Sequence, residues 1–340
     1  MDFVGLKEKF KKIPWLIFCL FGLLVLNLIL LGYFYWQERS GEKLSLLPSQ
    51  ENSLKIIFLN VGQGDAILIR TPVLAEAPAG KLERRNVLID GGPDKSIIYK
   101  LDRYLPFYER KIDLMILTHP DPDHLNGLVE TLKRYRVEKV FYNGVEDRDL
   151  SYKEFLREIE EKRIEREIVW RGKIFEFGSG KIEILFPFEN LSGKSFKNDN
   201  EASIVFKLIY GKTSILFTGD ATKKVEEQLI KHNLDLKADI LKVSHHGSKT
   251  ATSLEFLEKV KPKYAIISVG KNNKFGHPSL RVLKNLEKIG AKVLRTDQMG
   301  DIMFESNGQS LKILNSKFET INKSQNLDSN TQIDLGLEKF

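Results

Sequence analysis

The least polar part of the chain comes first. Pro14 to Trp36 is 23 residues without a charge, and 19 of them are apolar. A helix of that length reaches about 34 Å, enough to cross a hydrocarbon core roughly 30 Å thick. Trp15 stands at one end and Tyr33, Tyr35 and Trp36 at the other, where aromatic side chains mark membrane interfaces. Lys7, Lys9, Lys11 and Lys12 precede the span, and only Arg39 and Lys43 follow it closely. That bias predicts a cytoplasmic N-terminus and places the rest of the chain outside. A cleavable signal has a shorter apolar core ending in small residues, whereas this one runs into Tyr-Phe-Tyr-Trp. The expectation is a cytoplasmic segment 1–13, a transmembrane signal anchor 14–36 and a polar linker 37–53.

After the linker the period changes. Strand patterns cover Leu54–Val61 and Ala66–Arg70, on either side of the turn Gly62-Gln63-Gly64-Asp65. Residues 74–85 read as an exposed loop. Asn86–Asp90 and Ile112–Thr118 are strands, and Ile97, Ile98, Leu101 and Leu105 between them have helical spacing. Helices are expected near 123–135 and 151–164, with a strand at 138–142. Strands follow near 173–177, 181–186, 202–210 and 213–218. The C-terminal part alternates helix (221–232), strand (239–243), helix (252–260), strand (264–269), helix (279–289) and strand (292–296). Short strands near 301–305 and 311–314 close it. Residues 315–340, rich in Ser, Asn, Gln and Lys, read as a mobile tail. Hairpins first, then alternating helices and strands, predict an α+β domain over 54–314 with stacked mixed sheets flanked by helices.

Composition narrows the chemistry. Of 340 residues one is cysteine, Cys19, inside the apolar span. The remainder therefore has no disulfide framework, no cysteine-ligated zinc and no cysteine nucleophile. Net charge is +7. Residues 237–274 hold eight lysines against three acidic residues, so the excess is expected beside the histidine pair described next and would favour an anionic substrate.

Four of the six histidines fall in two of three short clusters at predicted strand ends; His277 lies in a Gly-His-Pro turn, and His232, on a charged helix, stands apart. The first cluster is Thr118-His119-Pro120-Asp121-Pro122-Asp123-His124. His119 and Asp121, two apart in a proline-stiffened extended loop, can point the same way, while Asp123 and His124 open the next helix. The cluster can thus feed two neighbouring ions. The second is Thr218-Gly219-Asp220, and the third is Ser244-His245-His246-Gly247-Ser248. Taken singly, an aspartate after a strand ordinarily caps a helix, and a histidine pair on a loop ordinarily forms surface hydrogen bonds. All three clusters in this order point to a metal site.

This arrangement resembles the metallo-β-lactamase superfamily, and most closely the extracellular hydrolase domain of the ComEC DNA-uptake (competence) proteins. Asn60-Val61-Gly62-Gln63-Gly64-Asp65-Ala66, Ile89-Asp90-Gly91-Gly92, Asn200-Glu201-Ala202-Ser203, Gly276-His277-Pro278 and Arg295-Thr296-Asp297-Gln298-Met299-Gly300 add to the likeness, which spans about residues 54–306. The resemblance implies a four-layer αββα sandwich with two divalent ions at one edge. His119 and Asp121 would hold the first ion, Asp123 and His124 the second, and Asp220 would bridge them. His245 or His246 would complete the second site. Asp121 stands where most members have histidine, and Asn198–Ser203 stands where a third histidine is usual. A carboxylate in place of imidazole makes the first site harder, so Mn²⁺ or Mg²⁺ competes better with Zn²⁺ there.

The implied chemistry is attack by a metal-activated hydroxide on phosphorus or a carbonyl, with Asp123 orienting it and His277 contacting the leaving group or an oxyanion. Gln63, Asp65, Asn200, Ser203, Ser248 and Lys249 are expected on the substrate side of that edge. The implied function is a phosphodiesterase or nuclease acting on DNA at the outer face of the membrane, possible partner of a separate membrane DNA-uptake channel. With one apolar span the chain cannot itself be such a channel. Two other classes stay open: a hydrolase of another surface substrate (a phosphorylated wall polymer, an ester, a lactone or a β-lactam), and a non-catalytic DNA-binding module.

Overall fold

The structure is a computed structural model that describes residues 21–28, 31, 53–76 and 81–314. Residues 21–28 and 31 are helical. The rest of the expected anchor 14–36, most of the linker and the tail 315–340 lie outside the described residues. Among the described residues no helix is long and apolar enough to cross a membrane.

From Ser53 onward the elements run β1 (Leu54–Phe58), β2 (Ile67–Arg70), a small hairpin of β3 (Leu74–Glu76) and β4 (Lys81–Glu83), β5 (Asn86–Ile89), α1 (Ser96–Tyr104), β6 (Lys111–Ile116), α2 (Pro122–Arg134), β7 (Arg136–Tyr142), α3 (Leu150–Glu161) and β8 (Glu165–Ile168). The second half runs β9 (Ile174–Phe177), β10 (Gly180–Phe186), β11 (Val205–Tyr210), β12 (Thr213–Phe217), α4 (Lys223–Lys231), β13 (Ile240–Lys242), α5 (Leu254–Val260), β14 (Tyr264–Ile267), α6 (Leu280–Lys288) and β15 (Lys292–Arg295). A short α7 (Thr296–Met299) then leads to β16 (Ile302–Ser306) and β17 (Leu311–Ile313).

Two sheets result, in the orders β17-β16-β1-β2-β5-β6-β7-β8 and β15-β14-β13-β12-β11-β10-β9. Alternation along the strands decides the layering. Ile56, Phe58, Ile67, Ile69 and Ile116 of the first sheet pack against Ile184, Phe206, Ile215, Phe217 and Ile266 of the second. Their neighbours face outward under helices. Ile57, Leu68, Leu88 and Met115 meet Ile97, Leu101, Leu128 and Phe155, whereas Leu216, Leu241 and Ile267 meet Val225, Leu229, Phe256 and Leu286. The layers are therefore helix, sheet, sheet, helix.

Strand direction then separates the two ends of the sandwich. β5, β6 and β7 are parallel, as are β12 to β15, so the segments after them gather at one end. The segments before them gather at the other. Three local expectations change. The loop expected at 74–85 contains the β3–β4 hairpin. β8, with the sequence Glu-Arg-Glu-Ile, was hidden because it is a sheet edge and carries no buried residue. The strand expected from Ala202 begins at Val205, because Asp199–Ala202 is a turn of 3-10 helix capped by the Asn198 side chain.

Candidate metal centre

Five of the strands that end at the first of those two ends deliver polar groups to it. β5 is followed by Asp90, β6 by Thr118 and His119, β12 by Asp220, β13 by His246, and β14 by Ser268. The β1–β2 turn adds Asp65. Helix α2 adds Asp123 and His124 in its first turn.

Asp220 is not a helix cap; Thr222 occupies that position before α4. Asp121 is at the N-cap of α2 but its side chain caps nothing, and its Oδ2 lies 3.4 Å from His119 Nε2. His124 Nε2 lies 3.3 Å from Asp220 Oδ1, and His246 Nε2 lies 3.2 Å from Asp123 Oδ2 and 3.4 Å from Asp220 Oδ2. His119, His124 and Asp220 offer ligand atoms all within 4.8 Å of one another, and so do Asp123, His124 and His246.

The other ring nitrogens fix which atom each imidazole presents. His124 Nδ1 is 2.8 Å from Asp90 Oδ2, and a carboxylate can only accept, so the proton sits on Nδ1. Thr118 Oγ1 donates to Asp90 Oδ2 at 2.8 Å, which leaves it to accept from His119 Nδ1 at 3.0 Å. His246 Nδ1 donates to the Ser268 carbonyl at 2.9 Å. All three Nε2 atoms therefore face the same space, and all three are buried without a hydrogen-bond partner, as is Asp220 Oδ1.

The backbone is shaped for this. Gly91 N donates to His124 O at 2.7 Å and Gly127 N donates to Gly92 O at 3.0 Å, which draws α2 against the Asp90 loop. A Cβ on Gly91 or Gly127 would overlap the other's backbone. Asp90, His245 and His246 all have φ near +50°, a left-handed conformation unusual outside glycine. Strain of that kind persists where surrounding contacts enforce it, often at functional sites.

The electrostatics express a shortage of positive charge. Burial opposes ionisation of His246, yet Asp220 and Asp65 push its pKa up to about 10. Burial likewise opposes ionisation of His124, but Asp220 and Asp90 hold its pKa well above the ordinary value. Asp220, fully buried, is nevertheless pulled well below the usual carboxylate range by His246 and His124. A buried carboxylate cluster that draws protons onto its imidazoles is equally a place for cations.

His245 stands apart from its neighbour. Its Nε2 is 3.8 Å from Asp220 Oδ2 and its Nδ1 is 3.1 Å from Thr250 Oγ1. The His277 ring lies beside it, with centroids 5.6 Å apart, and stacks on Phe275. Asn273 holds the His277 backbone at both N–H and carbonyl. Burial, aided by His245, lowers the His277 pKa to about 4.

Among the residues expected on the substrate side, the structure separates supports from exposed groups. Asp65 is a correction: it is 1% exposed, with Oδ2 2.6 Å from Lys242 Nζ and Oδ1 3.4 Å from His246 Nδ1, so it stands behind the imidazole. Ser203 is a second correction; it is buried and its Oγ accepts from Asp220 N at 3.2 Å. Gln63 Oε1 accepts from Gly270 N at 3.2 Å, which ties the β1–β2 turn to the segment after β14. Ser248 is buried, with Oγ 3.0 Å from Thr250 Oγ1, while Lys249 is exposed. Asn200 is buried with Oδ1 unpartnered.

Two supports had no assigned part in the sequence reading. Asp90 was visible in Asp-Gly-Gly, a turn signal that does not announce a histidine partner 34 residues on. Lys242 ends a strand on the same face as the core residue Ile240, and it is buried against Asp65.

Residues 60–271 match the sequence profile of the family described as Metallo-beta-lactamase superfamily. The chain is 30% identical to ComE operon protein 3 of Bacillus subtilis over 277 residues, covering 77% of this chain and 34% of that protein. It is 30% identical to Competence protein ComA of Neisseria gonorrhoeae over 75% of this chain and 32% of that one. It is 32% identical to Recombination protein 2 of Haemophilus influenzae over 58% of this chain and 23% of that one. The chain thus spans about a third or less of the length of these relatives.

Proposed function

Since the chain belongs to the metallo-β-lactamase superfamily, we propose that it is a metal-dependent phosphodiesterase acting on DNA outside the membrane to which Pro14–Trp36 anchors it. The observation that carries this reading is the convergence of the unpartnered Nε2 atoms of His119, His124 and His246 on the Asp220 carboxylate. Buried imidazole and carboxylate atoms without partners are costly unless something binds them. The donor set, nitrogen and carboxylate oxygen without sulfur, fits Zn²⁺ or Mn²⁺ and admits Mg²⁺.

His119, Asp121 and Asp220 would hold one ion, and Asp123, His124, His246 and Asp220 the other. His246 suits the second place better than His245, because its Nε2 approaches both Asp123 and Asp220. Two such ions supply Lewis acidity and a hydroxide nucleophile at neutral pH. The chain's own groups do the rest. Asp90, Thr118 and Ser268 hold the three imidazoles in the tautomer that presents Nε2. Asp123 orients the attacking oxygen. His277, neutral at pH 7, offers a hydrogen bond to an oxyanion or leaving group rather than a proton store.

The substrate is read from two supports. The competence and recombination names of the relatives favour DNA, and the carboxylate-rich first site favours hard ions that handle phosphodiesters. The competence name of one relative also supports a membrane DNA-uptake channel as a partner of this chain. The full chain, incubated with linear single- and double-stranded DNA in Mn²⁺, Zn²⁺ or chelator, tests the assignment. Metal-dependent cleavage is expected. Cleavage of generic phosphodiester, ester or β-lactam reporters without DNA cleavage would move the protein to another surface substrate. Salt-sensitive DNA binding without turnover would make it a binding module.

A further inference from the structure

The end of the sandwich remote from the metal centre has its own chemistry. Phe107 and Tyr108, in the turn between α1 and β6, are 87% and 73% exposed, and their rings pack edge to face 5.3 Å apart. Arg110 follows them, 54% exposed, with its guanidinium 3.5 Å from Asp102. Glu109, between Tyr108 and Arg110, is bound to Arg70 at 3.0 Å, and Arg70 is the register partner of Lys55, the second residue of β1. The aromatic pair therefore sits where the chain enters the domain.

The second sheet continues this end. Thr213 Oγ1 is 2.6 Å from Ser306 Oγ, and Ser306 is the register partner of Leu54. A groove of about 470 Å³ opens there at the starts of β12, β13 and β14. Its rim carries exposed Lys212, Lys237, Lys261 and Lys263, against Asp235 and Asp239. The charge expected beside the histidine pair is split. Lys237, Lys261 and Lys263 precede β13 and β14, whose other ends carry His246 and Ser268, so they lie across the sheet from the metal centre, whereas Lys242, Lys249, Lys271 and Lys274 lie at or after the far ends of those strands.

We infer that this end, with Phe107 and Tyr108 as its aromatic tip on the side of the first sheet and the lysine-rimmed groove on the side of the second, docks on the surface of an anionic lipid bilayer. Exposed aromatic rings beside basic side chains match the interfacial zone of a membrane, and lysines answer anionic headgroups. The point of chain entry argues for that occupant. Only 17 residues separate the apolar stretch Pro14–Trp36 from Leu54, so the anchor proposed above would keep this domain within tether reach of a bilayer. The metal centre at the opposite end would then face away from the membrane, open to a polymer arriving from outside. DNA is the weaker fit, because a strand held at this end would be held away from Asp220.

The inference rests on the anchor proposed above, and one experiment separates the two. The full chain carrying Cys19→Ser and Tyr108→Cys is spin-labelled and reconstituted in nanodiscs with or without anionic phosphatidylglycerol. Retention in nanodiscs reports the anchor. Power saturation with oxygen and with a water-soluble nickel complex reports the depth of the label. The expected result is a lipid-contacting label at 108 in anionic nanodiscs, with Lys271→Cys, beyond β14, fully water-exposed. Lys212→Glu, Lys237→Glu, Lys261→Glu and Lys263→Glu together should return the label at 108 to water. Equal water exposure at 108 and 271 in retained protein would overturn the docking and leave the anchor standing. A chain not retained would overturn both. Shielding at 108 from both reagents, relieved by dilution with unlabelled chain, would assign the end to a second copy and overturn the lipid assignment. Shielding only on addition of single-stranded DNA would overturn it as well.

Discussion

Lys242 Nζ lies 2.6 Å from Asp65 Oδ2, with both side chains 1% exposed, and the same carboxylate reaches His246 Nδ1 through its other oxygen. Burial opposes ionisation of Asp65, but Lys242 and His246 hold its pKa below the usual range. Removing one partner of a buried pair leaves an uncompensated charge, which costs about 3–5 kcal/mol. Lys242→Met should therefore lower unfolding stability by about that amount in denaturant titration, and adding Asp65→Asn should recover most of it. A single variant as stable as wild type would show that the pair is not closed in solution.

Asp90 acts on the metal centre without facing it. It holds His124 Nδ1 at 2.8 Å and receives Thr118 N and Oγ1. Losing such a partner typically costs about 10–100-fold in metal affinity. Asp90→Ala should show that loss by competition with a chelating dye while keeping the wild-type circular dichroism. Unchanged affinity would mean that the imidazole orientation comes from elsewhere.

The raised pKa values of His124 and His246 give the ion-free protein a defined pH dependence. In the unfolded chain these histidines titrate near 6.5, whereas folded His246 titrates at about 10. The folded state therefore holds protons that the unfolded state has released. Their stabilising contribution is complete below pH 6.5 and is lost as pH rises toward 10. Thermal melts of chelator-treated protein should show Tm falling between pH 7 and 10, with metal addition reducing the fall. A flat or rising Tm would contradict the charge balance described for the site.

His277 is the opposite case. Burial with His245 beside it lowers its pKa to about 4. Its imidazole should remain neutral at pH 6 by nitrogen-15 NMR, while exposed His232 serves as an internal comparison in the same spectrum. A protonated His277 at pH 6 would remove it as a neutral hydrogen-bond donor and recast it as an acid.

Much of this was legible in the chain. Apolar alternation located nearly every sheet strand, since a strand buried on one or two faces must repeat its apolar positions. β8 escaped because an exposed edge imposes no such pattern. The ligand candidates were legible because strand ends, proline and glycine signalled where side chains would gather. Which ring of the His245-His246 pair is buried was not, because it depends on three successive left-handed residues, His245, His246 and Gly247, that turn the second ring inward. Nor was the placement of Lys237, Lys261 and Lys263. Nearness in sequence to His245 suggested nearness in space, but a parallel strand sends its two flanking loops to opposite ends of the sheet.

The most direct measurement is the rate of cleavage of end-labelled linear DNA by the wild-type chain and by Asp220→Ala, each with Mn²⁺ and with chelator. Asp220 touches both His124 and His246, so its loss should reduce the rate by more than the roughly 10–100-fold expected from a supporting partner. Chelation should bring the wild type to the same floor. Equal rates in the two proteins, or a wild-type rate indifferent to chelator, would contradict a metal-dependent DNA hydrolase built on that carboxylate.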